Sequence, residues 1–464
     1  MQGLLGLGAG LSTITAVMKH LPTLLQIKSC LEQFEAHRAW MHRILHRQQF
    51  WKQVYEQILQ DFATYRSSAL HDIGLDEYRR QLHWLAILFA ICGLGLFNNL
   101  LDDSQALQLG FPSGIRPQRD LAVRWCVCST SCLQLGEYDQ HPTIESIQAM
   151  AILAQLPLYT SNGETLGIVL GFLGSAIELA SKLGLNIDPD EDPRYVNASA
   201  LVKQDRRRLM IALLCQHYKM GGLACQTLGL QSPSEYKIQL PLDQFDEDFD
   251  LTTGALINPR TPGSTHTIMT GIRCRFQVSQ VWQEIGILFA DVKTPLIHEK
   301  IMALDRQLLE IEKTWPTCIR TRFEPSTATF MPSFKVHTDR PGLETTTEHP
   351  ILLIDRLGCF SVLANAMIRL HRGFLVAHDG IPSQDVALHR SRVLHFGRSM
   401  LAIHRTTLLP LDHVPLQFFV FSSSIALAVY CLTAKPESDE VGEVMKELIQ
   451  LVETLKPIVS QQIK

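Results

Sequence analysis

Residues 82–101 read LHWLAILFAICGLGLFNNLL. This stretch contains no Asp, Glu, Lys or Arg. Its length alone would let it cross a bilayer, which takes about 20 predominantly apolar residues. His83 at one end and Asn98 and Asn99 at the other shorten the apolar centre below that span. A helix that is apolar all round and too short to span belongs in the core of a large helical protein. The fold class follows from that reading: all-α, with this helix inside.

The rest of the chain agrees. Apolar residues recur at three- and four-residue spacing through the window from Gln26 to Ala63, then over Arg124–Tyr138, Thr143–Leu156, Glu164–Leu183 and Lys203–Leu223. Thr143 is placed to cap its helix, Pro157 to stop it, and Gly184 to end the next one. One or two helices fall in Gly271–Thr314. Others follow at Ile351–Val376, Ser383–Leu408 and Phe418–Ala434, with an amphipathic one at Glu437–Leu455. Between them lie an acidic, Pro-containing loop (Asn186–Asn197), a loop with an acidic run (Asp243–Asp250), and a Thr- and Pro-rich connection over Phe323–Pro350 that reads as mobile. No alternating strand pair and no short repeat is visible. The expected architecture is one large irregular domain of 14 or more helices over residues 21–464, preceded by an extension at 1–20.

Composition limits the function. Of 464 residues, 46% are hydrophobic and 19% charged, and 42 basic residues stand against 46 acidic ones. That excludes a disordered chain and argues against direct binding of nucleic acid, which needs a concentrated cationic excess. The eleven cysteines sit mostly in apolar runs, and no two are spaced C-x-x-C, so they read as core thiols in a reducing compartment. No basic residue precedes the apolar N-terminal stretch, so no secretory signal is expected.

No glycine-rich nucleotide loop, nucleophile elbow or zinc-protease motif is present, and no cofactor is expected. His42 and His46 have a spacing that can hold zinc on a helix, but no third ligand accompanies them; Cys128 and Cys132 read as core. No metal is therefore expected. Arg206-Arg207-Arg208 is too short for a nucleic-acid tract and reads as a salt-bridging helix segment, with an anionic partner as the alternative. Glu178 is alone in an apolar stretch and is expected either to pair with a buried base, one of the arginine clusters, or to face a cavity. Arg369, His371 and Arg372, in the apolar segment Met367–Leu375, invite the same two readings.

Several segments together resemble the regulatory, or middle homology, domain of fungal zinc-cluster transcription factors. These are TIESIQAMAILA (143–154), GSAIELASKLGLNID (174–188), DRRRLMIALLCQHYK (205–219) and QLP (239–241). The family's Leu-Gly-Leu turn corresponds to Leu183-Gly184-Leu185, ending here in Asp188. Its acid-Arg-Arg-Arg motif corresponds to Asp205–Arg208, with Met210 and Ile211 where Trp is usual. The likeness extends to residues 21–51, to WLAILFAICGLGL (84–96), to MIRLHRGFL (367–375), with Gly373 in place of Pro, and to FFVFSSSIALAV (418–429). The family's six-cysteine zinc cluster has no counterpart here. Gln216-His217 and Ala224-Cys225-Gln226 replace the usual Asp-Arg and Gly-Arg-Pro.

The resemblance implies a transcription-factor-like regulatory protein of a fungal secondary-metabolite pathway, located in the nucleus. It would act through a protein partner or a DNA-binding regulator, as a homo- or hetero-dimer, and sense an apolar small molecule. Trp40, Trp84, Glu178 and Arg369 are the candidate ligand contacts. Two alternatives remain. One is a cofactor-independent cyclase or isomerase of natural-product biosynthesis, cytoplasmic, using His46, His217 and His371 as acid–base groups. The other is a truncated regulator that only hetero-oligomerises.

Overall fold

In the computed structural model, helix follows helix. It describes residues 13–34, 43–54, 74–98, 100–155, 166–224, 236–261, 263, 265–290, 298–323, 330–332, 350–376, 383–406, 414–434 and 438–463. Fifteen α-helices lie among the described residues, as the all-α expectation requires. The expected pairless chain needs one correction. Thr321–Phe323 (β1) and Phe330–Pro332 (β2) form a short antiparallel hairpin. It sits in the Thr- and Pro-rich connection, most of which lies outside the described residues. Two compact units are formed. Unit 1 comprises residues 1–220, 228–260 and 267–272; unit 2 comprises residues 221–227, 261–266 and 273–464.

Unit 1 is built around α4 (Leu75–Asn98), the helix of the apolar stretch quoted first. Asp76 and Glu77 in its first turn suit the positive end of the helix dipole. From Leu82 to Leu96 its side chains are buried, and Leu88 to Cys92 are fully so. By length and composition it could cross a membrane, yet 83% of its apolar window lies inside the protein. Its neighbours are α2 (Leu24–Phe34), α6 (Ile115–Leu135) and α7 (Ile144–Leu153). Two glycines permit this crowding. A Cβ at Gly93 would strike the thiol of Cys126 and the carbonyl of Ala122 on α6; one at Gly95 would strike the Cys30 backbone on α2. Around this centre lie α1 (Ile14–Met18), α3 (Arg47–Val54), α5 (Asp103–Leu109), α8 (Leu166–Lys182) and α9 (Ala200–Ala224, as far as Met220).

Local signals set the ends of several helices. Thr143 caps α7 in a capping box with Ser146. At the end of α8, Gly184 takes a φ of 71°, its N–H bonds the Ser181 carbonyl at 2.9 Å and the Leu185 N–H bonds the Ala180 carbonyl at 2.9 Å. That is a Schellman stop, and it turns the chain into the acidic loop. The window from Gln26 to Ala63 is not one helix: residues 43–46 are non-helical and α3 begins at Arg47. His46 therefore lies at a helix start, and its partner in the expected pair, His42, lies outside the described residues.

Unit 2 holds α10 (Thr270–Ala290, from Arg273 on), α11 (His298–Thr314), the hairpin, α12 (Pro350–His371), α13 (Ser383–Thr406), α14 (Val414–Thr433) and α15 (Asp439–Ile463). Helix α13 packs on α12 and α14, α11 on α12, and α15 on α14. Trp282, Trp315, Phe360, Met367 and Leu427 are among the fully or nearly fully buried side chains of its core. Polar ties inside it include Trp282 Nε1 to the Val362 carbonyl at 3.0 Å and Arg356 Nε to the Cys318 carbonyl at 2.9 Å.

Replacing Gly95 by Val should cost about 2–3 kcal/mol in urea unfolding, because the Cys30 backbone cannot yield to a new side chain. Gly171→Ala on α8 is the control: nothing lies within 4 Å of the added carbon, and stability should hold or rise by about 0.5–1 kcal/mol. Equal effects of the two would show that close helix approach at α4 is not what Gly95 provides.

Candidate functional site

The densest charge in unit 1 lies along α9. Successive helical residues point about 100° apart, so three arginines in a row must face three directions. All three are buried, and each direction supplies an acceptor. Arg206 donates to the Leu183 carbonyl at 2.9 Å, just past the end of α8, and its guanidinium lies 3.7 Å from the centre of the Tyr195 ring. A cation there suits the negative end of the α8 dipole. Arg207 forks Asp188 through Nε at 2.9 Å and Nη2 at 2.5 Å, and also reaches Asp190. Arg208 bonds Asp246 at 2.8 Å and the Leu45 carbonyl at 3.2 Å.

The acceptors come from segments that read as loops. Asp188 is 1% exposed and also takes the backbone N–H groups of Asp190 and Gln239. Burial works against its ionisation, but Arg207 and these N–H groups hold its carboxyl below the usual range. In the acidic run, Asp243 receives both hydroxyls of Thr267 and Thr270 at the start of α10, within unit 1. Asp246 and Asp248 bracket a 3-10 turn (Asp246–Asp248). Asp248 accepts from Phe245 N–H, Asn258 and Arg260. The run is thus a buried scaffold and not a solvated loop.

Asp246 also grips the start of α3. Its Oδ2 accepts the Arg47 N–H at 2.7 Å, while Arg208 holds the Leu45 carbonyl. Between them, His46 caps α3: its Nδ1 accepts the Gln49 N–H at 3.3 Å. That leaves the proton on Nε2, which lies 3.8 Å from Asp246 and has no hydrogen-bond partner among the described residues. Burial lowers the His46 pKa, against the pull of Asp246. Three residues before His46, Arg43 has a φ of 48°, a left-handed backbone that an L-residue adopts at a cost. Strain of this kind persists where surrounding contacts fix the backbone, and just after Arg43 the Leu45 carbonyl and the Arg47 N–H are both held.

Several buried polar atoms of this cluster have no hydrogen-bond partner among the described residues. They are His46 Nε2, Asp205 Oδ1, Arg208 Nε, Gln216 Nε2 and His217 Nε2. Asp205, Arg208 and Gln216 fall on one side of α9, at spacings of three and eight. Burial pushes the Asp205 carboxyl up to about 7, with Arg208 pulling it down and Asp246 adding to the rise. Burial holds His217 down at about 4, and likewise His83, whose Nδ1 meets the Thr143 hydroxyl at 3.0 Å. A strip of this kind can receive water or a polar ligand carrying hydrogen-bonding groups of its own.

The residues singled out in the sequence are dispersed. Trp40 lies outside the described residues. Trp84 is buried in unit 1, donating to Gln53 at 3.1 Å and tilted against Phe50. Glu178 is exposed and pairs with Lys182 at 3.3 Å, one helical turn away on α8. The expected buried pairing with an arginine cluster is therefore wrong. The outer face of α8 is made of Gly171, Gly174 and Ser175, small residues that hide an exposed stripe inside an apolar-looking sequence. Arg369, in unit 2, is buried with its guanidinium 5.7 Å from the Trp282 ring centre. His46 and His217 belong to the α9 region; His371 belongs to a separate cluster in unit 2. Asp188, Asp205 and Asp246 were not among the candidates; Asp205, directly before the arginine triplet, carried a local signal, while Asp188 and Asp246 come from distant loops. The ten described cysteines are free thiols; burial raises Cys126 and Cys128 to about 12.

No protein-family model matches the chain. The agnestins biosynthesis cluster transcription factor AgnL11 of Paecilomyces divaricatus is 26% identical over 363 residues, covering 74% of this chain and 48% of that protein. The chain spans about half the length of the curated relative it matches. It is thereby related to a transcription factor of a biosynthetic gene cluster.

Asp205 gives a pH test. Its folded pKa lies above its unfolded one, so the unfavourable burial of its charge is absent below about pH 4 and complete above about pH 7. Asp205→Asn should match the parent near pH 4 and exceed its unfolding free energy by a few kcal/mol at pH 8. A difference that does not change with pH would contradict the assignment.

Proposed function

We propose that this chain is a transcription-factor-like regulatory protein of a fungal secondary-metabolite pathway, working in the nucleus through its helical regulatory domain. The observation that carries the reading is the relationship to a cluster transcription factor over 74% of the chain. The α9 geometry supports it from the side of mechanism. The basic triplet, the one sequence feature suggestive of nucleic acid, is spent on internal acceptors. Contact with DNA is then left to a partner protein or to a DNA-binding regulator, and this chain supplies control. The side of α9 carrying Asp205, Arg208 and Gln216 is the place in unit 1 best suited to a small molecule, one with polar groups beside its apolar body.

The test is deletion of the gene, scored in parallel for transcripts and small-molecule metabolites. A regulator should lose a coherent set of transcripts, and the chain fused to a foreign DNA-binding domain should change reporter output. Unchanged transcripts with one accumulated intermediate would overturn the reading and point to the cyclase or isomerase alternative. Within the regulator, Arg208→Gln should abolish the reporter response by unfolding the α9 region. Lys182→Gln, on exposed α8, should leave the response intact.

A further inference from the structure

Unit 2 contains an unbroken series of five titratable side chains. Asp305 Oδ1 on α11 lies 3.0 Å from His371 Nε2 at the end of α12. His371 Nδ1 lies 2.6 Å from His389 Nδ1 on α13. His389 Nε2 lies 3.1 Å from His298 Nδ1, on the first residue of α11. His298 Nε2 lies 3.6 Å from Asp385 Oδ2, in the first turn of α13. The inner members are shut in: Asp305 is 1% exposed, and His371 and His389 are fully buried. The outer pair meets solvent, with side-chain exposures of 30% for His298 and 34% for Asp385.

The protons of this series can be counted. Asp305 is held as a carboxylate by Arg392, which pairs with it at 3.0 Å, so it can only accept. His371 must then carry its proton on Nε2 and, if neutral, accept on Nδ1. His389 must donate from Nδ1 and accept on Nε2. His298 must donate from Nδ1, which leaves Nε2 bare and facing a carboxylate. Three neutral rings thus satisfy three contacts and leave the fourth with no proton. A fourth proton, on His298 Nε2, converts that last contact into a charge-assisted pair with Asp385. It also balances the charge: two carboxylates, one guanidinium and one imidazolium sum to zero.

We propose that Asp305, His371, His389, His298 and Asp385 form a one-proton binding site whose occupancy fastens the start of α11 to the start of α13. The proton rests on the outermost ring and the buried rings relay its presence through their hydrogen bonds. The groups facing the site are accounted for on each element. Helix α11 supplies His298 and Asp305, α12 supplies His371, and α13 supplies Asp385, His389 and Arg392. The 3-10 turn after α12 (Arg372–Leu375) supplies the uncharged Phe374 ring, stacked 3.9 Å from His389. Arg390, beside His389, is turned to the Leu375 and Thr433 carbonyls. Burial keeps His371 from taking the charge itself, in spite of Asp305. This inference does not depend on the regulatory reading.

The test uses the full chain labelled with 15N-histidine and its Asp385→Asn variant, followed by ring nitrogen shifts and by thermal unfolding from pH 8.5 to 5.5. In the parent, His298 should gain a proton on Nε2, while His371 and His389 change shift with the same midpoint and stay neutral. In the variant, the common midpoint should move to lower pH. The variant should unfold with the parent at pH 8.5 and about 2 °C below it at pH 5.5. Rings that titrate separately, or a variant deficit independent of pH, would overturn the proposal. Retention of the parent's midpoint in the variant would do the same.

Discussion

A charge cannot be left unpaired inside a low-dielectric core, and unit 1 obeys that constraint at α9. Six consecutive residues, Leu209 to Leu214, are fully buried immediately after three arginines that are nearly so. The helix can enter the interior because each guanidinium meets an acceptor as it loses water. Those acceptors arrive from sequence far away: the turn after α8, the acidic loop at Asp188, and the Asp246 turn. The Schellman stop at Gly184 aims the first two, and Asp246 in turn fixes the start of α3. Loops that would otherwise be free to move are held by the same contacts that make the helix buryable.

This arrangement bears on function by fixing what the arginines are for. Guanidinium groups buried and engaged by internal acceptors are not presented to a phosphate in solvent. The relationship to a cluster transcription factor is then understood at the level of scaffold and control, and direct DNA contact needs other residues. The unpartnered atoms along α9 differ in kind from the paired ones. Among the described residues they include Asp205 Oδ1, Arg208 Nε and Gln216 Nε2, all buried with no hydrogen-bond partner.

Much of the helical layout was legible because it rests on local physics. The 82–101 stretch lacks charge, Thr143 and Gly184 are end signals, and three-four spacing marks the apolar faces. What escaped depends on distance along the chain. The hairpin pairs residues across a Thr- and Pro-rich segment with no alternation to reveal it. Glu178 was misplaced because glycine and serine do not announce an exposed face, and Lys182 was near enough to satisfy it. Asp188 and Asp246 looked like loop acids until the fold brought arginines to them. The histidine series draws on three helices, and the spacings of Asp385, His389 and Arg392 along α13 and of His298 and Asp305 along α11 hint at shared faces.

The central claim is that Arg207 and Asp188 act as a coupled internal pair on which the α8–α9 region depends. A double-mutant cycle with Arg207→Gln and Asp188→Asn, read by urea unfolding at pH 7, measures it most directly. Each single change should cost about 3–5 kcal/mol, and the double change should cost clearly less than their sum, because the second removes a charge the first has orphaned. Additive effects, or single changes below about 0.5 kcal/mol as exposed pairs give, would contradict the account.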